Sequence, residues 1–188
     1  DGAPFDEGAI LSGAAYVFTR AGAAWSQQAY VKSAAPEPPD MFGASVALSG
    51  DGNTLAVAAW NESSAAVGID GDPTDNSAED AGAVFVYARA GETWSQHAYI
   101  KASNTGGLDM FGTSVALAFD RAGEEWSQRT YVKASNASDG DKFGHSVALS
   151  ADGATLAVGA RDESSAATGI GGDPSDDSRT RAGAVYLY

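Results

Sequence analysis

The sequence predicts an all-β protein assembled from repeated antiparallel sheets, and three observations predict it. First, residues 42–87 return as residues 143–188, both copies running from Phe-Gly through Ser-Val-Ala-Leu to a closing Tyr; self-similarity of this length marks a repeat architecture. Second, inside each copy large apolar residues alternate with small ones, the two-residue period of a strand. Third, Asp-Gly stands between the first two alternating runs, at Asp51-Gly52 and again at Asp152-Gly153, where a tight hairpin favours it because Gly tolerates positive φ.

In the complete copy the first strand is expected at Ser45–Leu48 and the second at Thr54–Val57. The residues between the large ones are Ala47, Ala56 and Ala58 rather than charged residues, so both faces of the sheet are expected to be buried against closely approaching neighbours. After a long loop the third strand is expected at Gly82–Tyr87, a turn at Arg89-Ala90-Gly91, and the fourth strand at Trp94–Ser103.

Along the chain the repeats are unequal. Residues 1–41 hold the third strand (Ser12–Phe18) and fourth strand (Trp25–Ser33) of one unit, followed by a linker whose Pro36, Pro38 and Pro39 donate no ladder hydrogen bonds. Residues 42–110 are a complete unit. Residues 111–142 are a truncated one, with a first strand expected at Phe111–Leu117 running almost directly into Arg121-Ala122-Gly123 and the fourth strand from Trp126 to Ser135. Either a deletion fused these parts, or the 188 residues come from pieces of a longer chain; the second reading is favoured because loss of a central strand leaves unpaired backbone groups at a sheet edge. Residues 143–188 supply the first three strands of a last unit. The intact polypeptide is therefore expected to exceed 19.0 kDa.

Composition narrows the function classes. A chain with 44% hydrophobic residues and 10% aromatics is globular rather than disordered. Eleven Lys plus Arg against 25 Asp plus Glu give a formal charge of −14, which argues against nucleic acid and anionic membranes as partners. Cysteine is absent, so there is no disulfide framework or cysteine zinc site. No apolar run approaches the roughly 20 residues of a membrane helix, so no membrane insertion is expected, and the first residues lack the features of a signal peptide.

The order Phe-Gly, first strand, Asp-Gly turn, second strand, long loop, third strand closely resembles the FG-GAP repeats of integrin α-subunit β-propellers and their bacterial relatives. Phe42-Gly43, Phe111-Gly112 and Phe143-Gly144 are the Phe-Gly elements, and Ala157-Val158-Gly159-Ala160 lies near the GAP element. The resemblance implies β-propeller blades, each a four-stranded antiparallel sheet, with the first strand innermost and the fourth outermost. It further implies a non-enzymatic, extracellular or cell-surface binding and adhesion module. One departure matters: calcium-binding relatives carry an Asp-x-Asp-x-Asp-Gly loop between the first two strands, whereas Ser49-Gly50-Asp51-Gly52-Asn53 has too few carboxylates.

The acidic material lies instead in the loop from Asn61 to Ala81, long for a compact β-domain. Glu62, Asp72 and Asp75 recur as Glu163, Asp173 and Asp176, while Asp70 becomes Gly171. A Gly-rich acidic loop can wrap a hard cation, so these six carboxylates are the candidate ligands for Ca²⁺; against this stands an ordered surface loop held by Asx turns and Ser side chains. The Trp-Ser-Gln elements at Trp25, Trp94 and Trp126 open every fourth strand and read as repeat packing. Trp60, replaced by Arg161 in the second copy, is expected to be exposed at the loop base and to contact a ligand. His97 and His145 vary between units, and no catalytic constellation recommends itself. The expectation is a binding scaffold for an unidentified protein or glycan ligand, presenting its long acidic loops; the alternative is a structural surface or filament protein that self-associates through open blade edges.

Overall fold

The computed structural model describes residues 10–117, 132–136, 140–150, 152–173 and 175–188. They form strands β1 (Ala15–Ala21), β2 (Ala24–Val31), β3 (Val46–Leu48), β4 (Thr54–Ala59), β5 (Ala83–Ala90), β6 (Thr93–Ile100), β7 (Phe143–Leu149), β8 (Leu156–Ala160) and β9 (Ala184–Leu187). The sheets are antiparallel, with orders β1-β2, β3-β4-β5-β6 and β7-β8-β9. No helix occurs among the described residues. The described residues fall into two compact units, 10–117 and 132–188.

In the first unit the Asp-Gly hairpin forms as the sequence predicts. Gly52 takes φ 69°, Ser49 N donates to Thr54 O at 2.8 Å, and Asp51 Oδ1 accepts from Asn53 N at 3.0 Å. The second hairpin differs from expectation. Its ladder runs through Arg89 and Ala90 to the pair Ala90 with Thr93, so the turn is Gly91-Glu92 rather than Arg89–Gly91. A two-residue link with Gly first at positive φ is the geometry that matches the right-handed strand twist. β1 and β2 repeat it, with Ala21 opposite Ala24 around Gly22. Both ladders also slip by one residue, which leaves Gln28 and His97 as the extra residue of a bulge.

Burial on two faces is realised. One face of the four-stranded sheet, with Leu55, Val57, Phe85, Tyr87 and Tyr99, packs on Ala15, Ala29 and Val31 of the first sheet. The other face, with Ala56, Ala58 and Val84, is covered by Phe111, Val115 and Leu117. The Phe-Gly element is the joint between neighbours. Phe42 N donates to Ser12 O at 3.0 Å and Phe111 N to Ala81 O at 2.9 Å, while the Phe42 ring meets Phe85 and Tyr87 edge-on at 5.4 and 6.2 Å. Gly13 and Gly82, at φ 77° and 80°, lie where a Cβ would run into the backbone of Phe42 and Phe111, so glycine is required both by φ and by space.

Two expectations are corrected. Phe111–Leu117 is turn and irregular backbone, not a strand. It carries the apolar residues of a first strand, but among the described residues no strand pairs with it to accept its ladder bonds, and it packs on its neighbour, with Val115 N donating to Ser45 Oγ at 3.2 Å. Trp94 is partly buried against the first unit's core and donates from Nε1 to Gln28 Oε1 at 3.1 Å, as packing requires, yet Trp25 is 66% exposed. Trp126 lies outside the described residues.

The second unit reproduces the same joint. Phe143 meets Tyr186 and Tyr188 at 5.4 and 6.4 Å, and Tyr188 donates from its hydroxyl to Lys133 O at 2.8 Å as Tyr87 does to Lys32 O at 3.0 Å.

Candidate functional site

The long loop between β4 and β5 is built by its own hydrogen bonds, and every principal one occurs twice. Its base is closed by Gly82 N donating to Glu62 O and by Gly183 N donating to Glu163 O, both at 2.8 Å. Ser64 Oγ donates across the loop to Asp72 O at 2.7 Å, matched by Ser165 Oγ to Asp173 O at 2.9 Å. Asp72 Oδ1 caps Thr74 N as Asp173 Oδ1 caps Ser175 N, both at 2.9 Å. Asp75 Oδ2 accepts from Ala65 N at 2.8 Å and Asp176 Oδ2 from Ala166 N at 3.3 Å. These are Asx turns with a cross-loop strut. The donated hydrogen bonds hold Asp72, Asp75, Asp173 and Asp176 below the usual carboxylate range.

The six candidate metal ligands therefore separate into two kinds. Asp72, Asp75, Asp173 and Asp176 sit on the exposed loop as turn caps. Glu62 and Glu163 are buried, at 3% and 1% exposure, and Glu62 is ion-paired: Lys101 Nζ donates to its Oε2 at 2.6 Å and Tyr99 Oη to its Oε1 at 2.7 Å. Ser64 N adds a third hydrogen bond at 3.2 Å. Among the described residues no group of three or more His, Cys, Asp or Glu side chains is arranged to hold a metal ion.

Burial and the Glu62 carboxylate together push the Tyr99 phenol well above its ordinary range, which keeps it neutral and donating. Asp40, also buried, sits near this pair. Burial raises its pKa to about 6, with the Glu62 charge adding to the rise and the backbone hydrogen bond from Glu37 opposing it. Two acids and one ammonium thus share a buried space at the base of the loop.

Asp70, set aside on the sequence because it becomes Gly171, clamps the fourth strand. Its Oδ1 accepts from Tyr99 N at 2.9 Å and its own N donates to Tyr99 O at 2.7 Å; Lys101 N donates to Gly68 O at 2.7 Å. Asp70 has φ 56° and Gly171 φ 73°. What the two copies keep is the left-handed backbone, which Asp and Gly tolerate best.

Trp60 does not stand exposed. It is half-buried, its indole Nε1 is buried and meets no acceptor among the described residues, and the turn carrying it is tied down by Asn61 N donating to Asp40 O at 3.3 Å. In the second unit an open groove of about 960 Å³ is lined by His145, Arg161, Glu163, Asp173, Val185 and Leu187, among others. Arg161 there contacts His145 Nε2 at 3.1 Å. The sequence signal for the buried pair was present: Tyr-x-Lys recurs in the fourth strands as Tyr30 with Lys32, Tyr99 with Lys101 and Tyr131 with Lys133.

Residues 126–188, the C-terminal third of the chain, match the family described as FG-GAP repeat. Residues 42–87 carry the same pattern, the same strand order and the same loop bonds as the matched region, so the chain is similar to FG-GAP repeat proteins, and its open antiparallel sheets are consistent with incomplete propeller blades. No curated protein matches it.

Proposed function

We propose that this chain is a non-enzymatic binding scaffold of the cell exterior, in which FG-GAP-like sheets present the loops 61–81 and 162–182 to a protein or glycan ligand. The observation that carries this reading is the double construction of the loop. Each copy is fixed from within by its Asx turns and cross-loop Ser bond, while apolar side chains are left outward, Val67 in the first copy and Ile170 in the second. Preorganised loops on a rigid sheet lose little entropy on binding, and loops so held are where binding function concentrates. FG-GAP repeat families are generally non-enzymatic, in keeping with a site that holds turn caps and a buried ion pair.

The reading is tested by exposing the fluorescently labelled chain to a printed glycan panel and to immobilised extracellular-matrix proteins. Binding that is lost in the double variant Val67→Asp with Ile170→Asp supports it. Binding unaffected by that variant, or no binding to either panel, overturns it.

A further inference from the structure

Lys101 and Glu62 meet in a geometry that offers more than an ion pair. Lys101 Nζ lies 2.6 Å from Glu62 Oε2, and the two side chains are 0% and 5% exposed. The other carboxylate oxygen, Oε1, accepts from Tyr99 Oη at 2.7 Å and from Ser64 N at 3.2 Å. A buried amino group thus faces one oxygen of a carboxyl group while two donors converge on the other. Donors so placed stabilise the charge that builds on a carbonyl oxygen under nucleophilic attack. The backbone on both sides is fixed as well: Glu62 O accepts from Gly82 N at 2.8 Å, and Lys101 N donates to Gly68 O at 2.7 Å.

We propose that Lys101 and Glu62 condense to an isopeptide bond between Nζ and Cδ, a covalent cross-link from the base of the loop to the end of the fourth strand. A proton passes from the ammonium to Oε2, and the freed amine attacks Cδ. Oε1 carries the negative charge of the tetrahedral species against the Tyr99 and Ser64 donors. The bond from Cδ to Oε2 then breaks, and the departing hydroxyl takes a second proton from the nitrogen. One amide forms, one water leaves, and nothing is oxidised or reduced. No outside acid or activating group is needed, because the pair already holds every atom of the amide and the water. Reacting groups held in this way behave as though present at about 10⁵–10⁸ M, and a site closed to solvent resists the reverse hydrolysis. Other lysines of the described residues lack the arrangement. Lys32 Nζ donates to Ser12 Oγ at 2.6 Å and to Gly13 O at 2.8 Å, neither of them a carboxyl group. Lys142 stands 3.7 Å from Asp162 with its side chain 55% exposed.

Intact mass spectrometry of the purified chain tests it, and the parent measurement does not depend on any variant folding. The parent should be lighter than its sequence by one water molecule. Trypsin should release residues 33–89 joined to residues 90–121, uncut after Lys101. Lys101→Arg keeps the cation but not the amine nucleophile, and Glu62→Ala removes the carboxyl group, so each variant should carry its full sequence mass. A parent of full sequence mass after days of incubation at neutral pH overturns the inference. So does a loss of water that persists in Lys101→Arg, or one that maps to Asp51-Gly52 or Asp152-Gly153, where imide formation would release the same water.

Discussion

Glu62 and Glu163 occupy the same place in two copies of one motif, are buried alike, and differ in what they meet. Glu62 receives an ammonium and a phenol from the fourth strand, through Lys101 and Tyr99. Among the described residues Glu163 receives neutral donors, Asn136 Nδ2 at 3.3 Å and Ser165 N at 3.1 Å, and its sheet has the order β7-β8-β9. The difference teaches what the recurring acid does. It fixes the loop to the fourth strand where that strand is present, and Asp70 adds a backbone clamp at the same strand. The second copy has Gly171 at the Asp70 position. The acidic loop is thus a structural latch before it is anything else.

The largest expected effect comes from removing the cation. Lys101→Met leaves the Glu62 carboxylate buried and unpaired, and should cost about 3–5 kcal/mol of unfolding free energy in urea denaturation. Among the described residues no lysine meets Glu163, so a similar loss from Lys133→Met would break the comparison.

Next in size is the joint. Gly82→Ala must place a Cβ against the Phe111 backbone at a positive φ, whereas at Gly183 the nearest atom is Arg161 O at 3.2 Å. Left-handed φ alone costs about 1–2 kcal/mol for a residue with a Cβ, so Gly183→Ala should fall in that range in the same assay and Gly82→Ala clearly above it. Equal costs would mean that the Phe-Gly element of the third unit does not hold its place.

The pH dependence separates the same regions. Asp40 binds its proton more tightly folded, about 6, than unfolded, 3.8, so its contribution is fully present below the unfolded value and is lost as pH rises through about 6. Asp51, Asp72, Asp75 and their counterparts are shifted the other way by hydrogen bonds, and their contribution fades as pH falls through the ordinary carboxylate range and below. Melting temperature followed from pH 4 to pH 7 should lose its downward slope in Asp40→Asn. A parent protein whose stability climbs steadily across that window would contradict the buried Asp40.

The smallest effect is expected from calcium. A metal held only by the folded state raises the melting temperature, but Glu62 has both oxygens engaged and Asp75 likewise. Millimolar calcium should shift the melting temperature little. A rise abolished by Asp72→Asn with Asp173→Asn would restore the loop as a calcium site.

Much of this fold was legible because it is local. Alternation, the Asp-Gly turn and Phe-Gly each lie within a few residues, and the internal repeat let one copy vouch for the other. The hairpin turn was placed early because Arg89 and Ala90 look like turn residues until the ladder to Thr93 is seen. The latch was missed because Glu62 and Lys101 are 39 positions apart, and a lysine near the end of a strand reads as a solvated charge. Trp25 was misread for the opposite reason: its sequence matches Trp94, but burial depends on a neighbouring sheet that no local pattern encodes.

The central claim, that the recurring glutamate latches the fourth strand, is tested most directly by hydrogen exchange in Glu62→Gln and Glu163→Gln. An amide at residue 62 leaves the Lys101 ammonium buried without its counter-charge, so the peptide spanning residues 93–103 should lose protection by opening locally. Glu163→Gln should leave residues 143–188 exchanging as in the parent. Equal loss of protection in the two variants, or full protection of residues 93–103 in Glu62→Gln, would contradict the account.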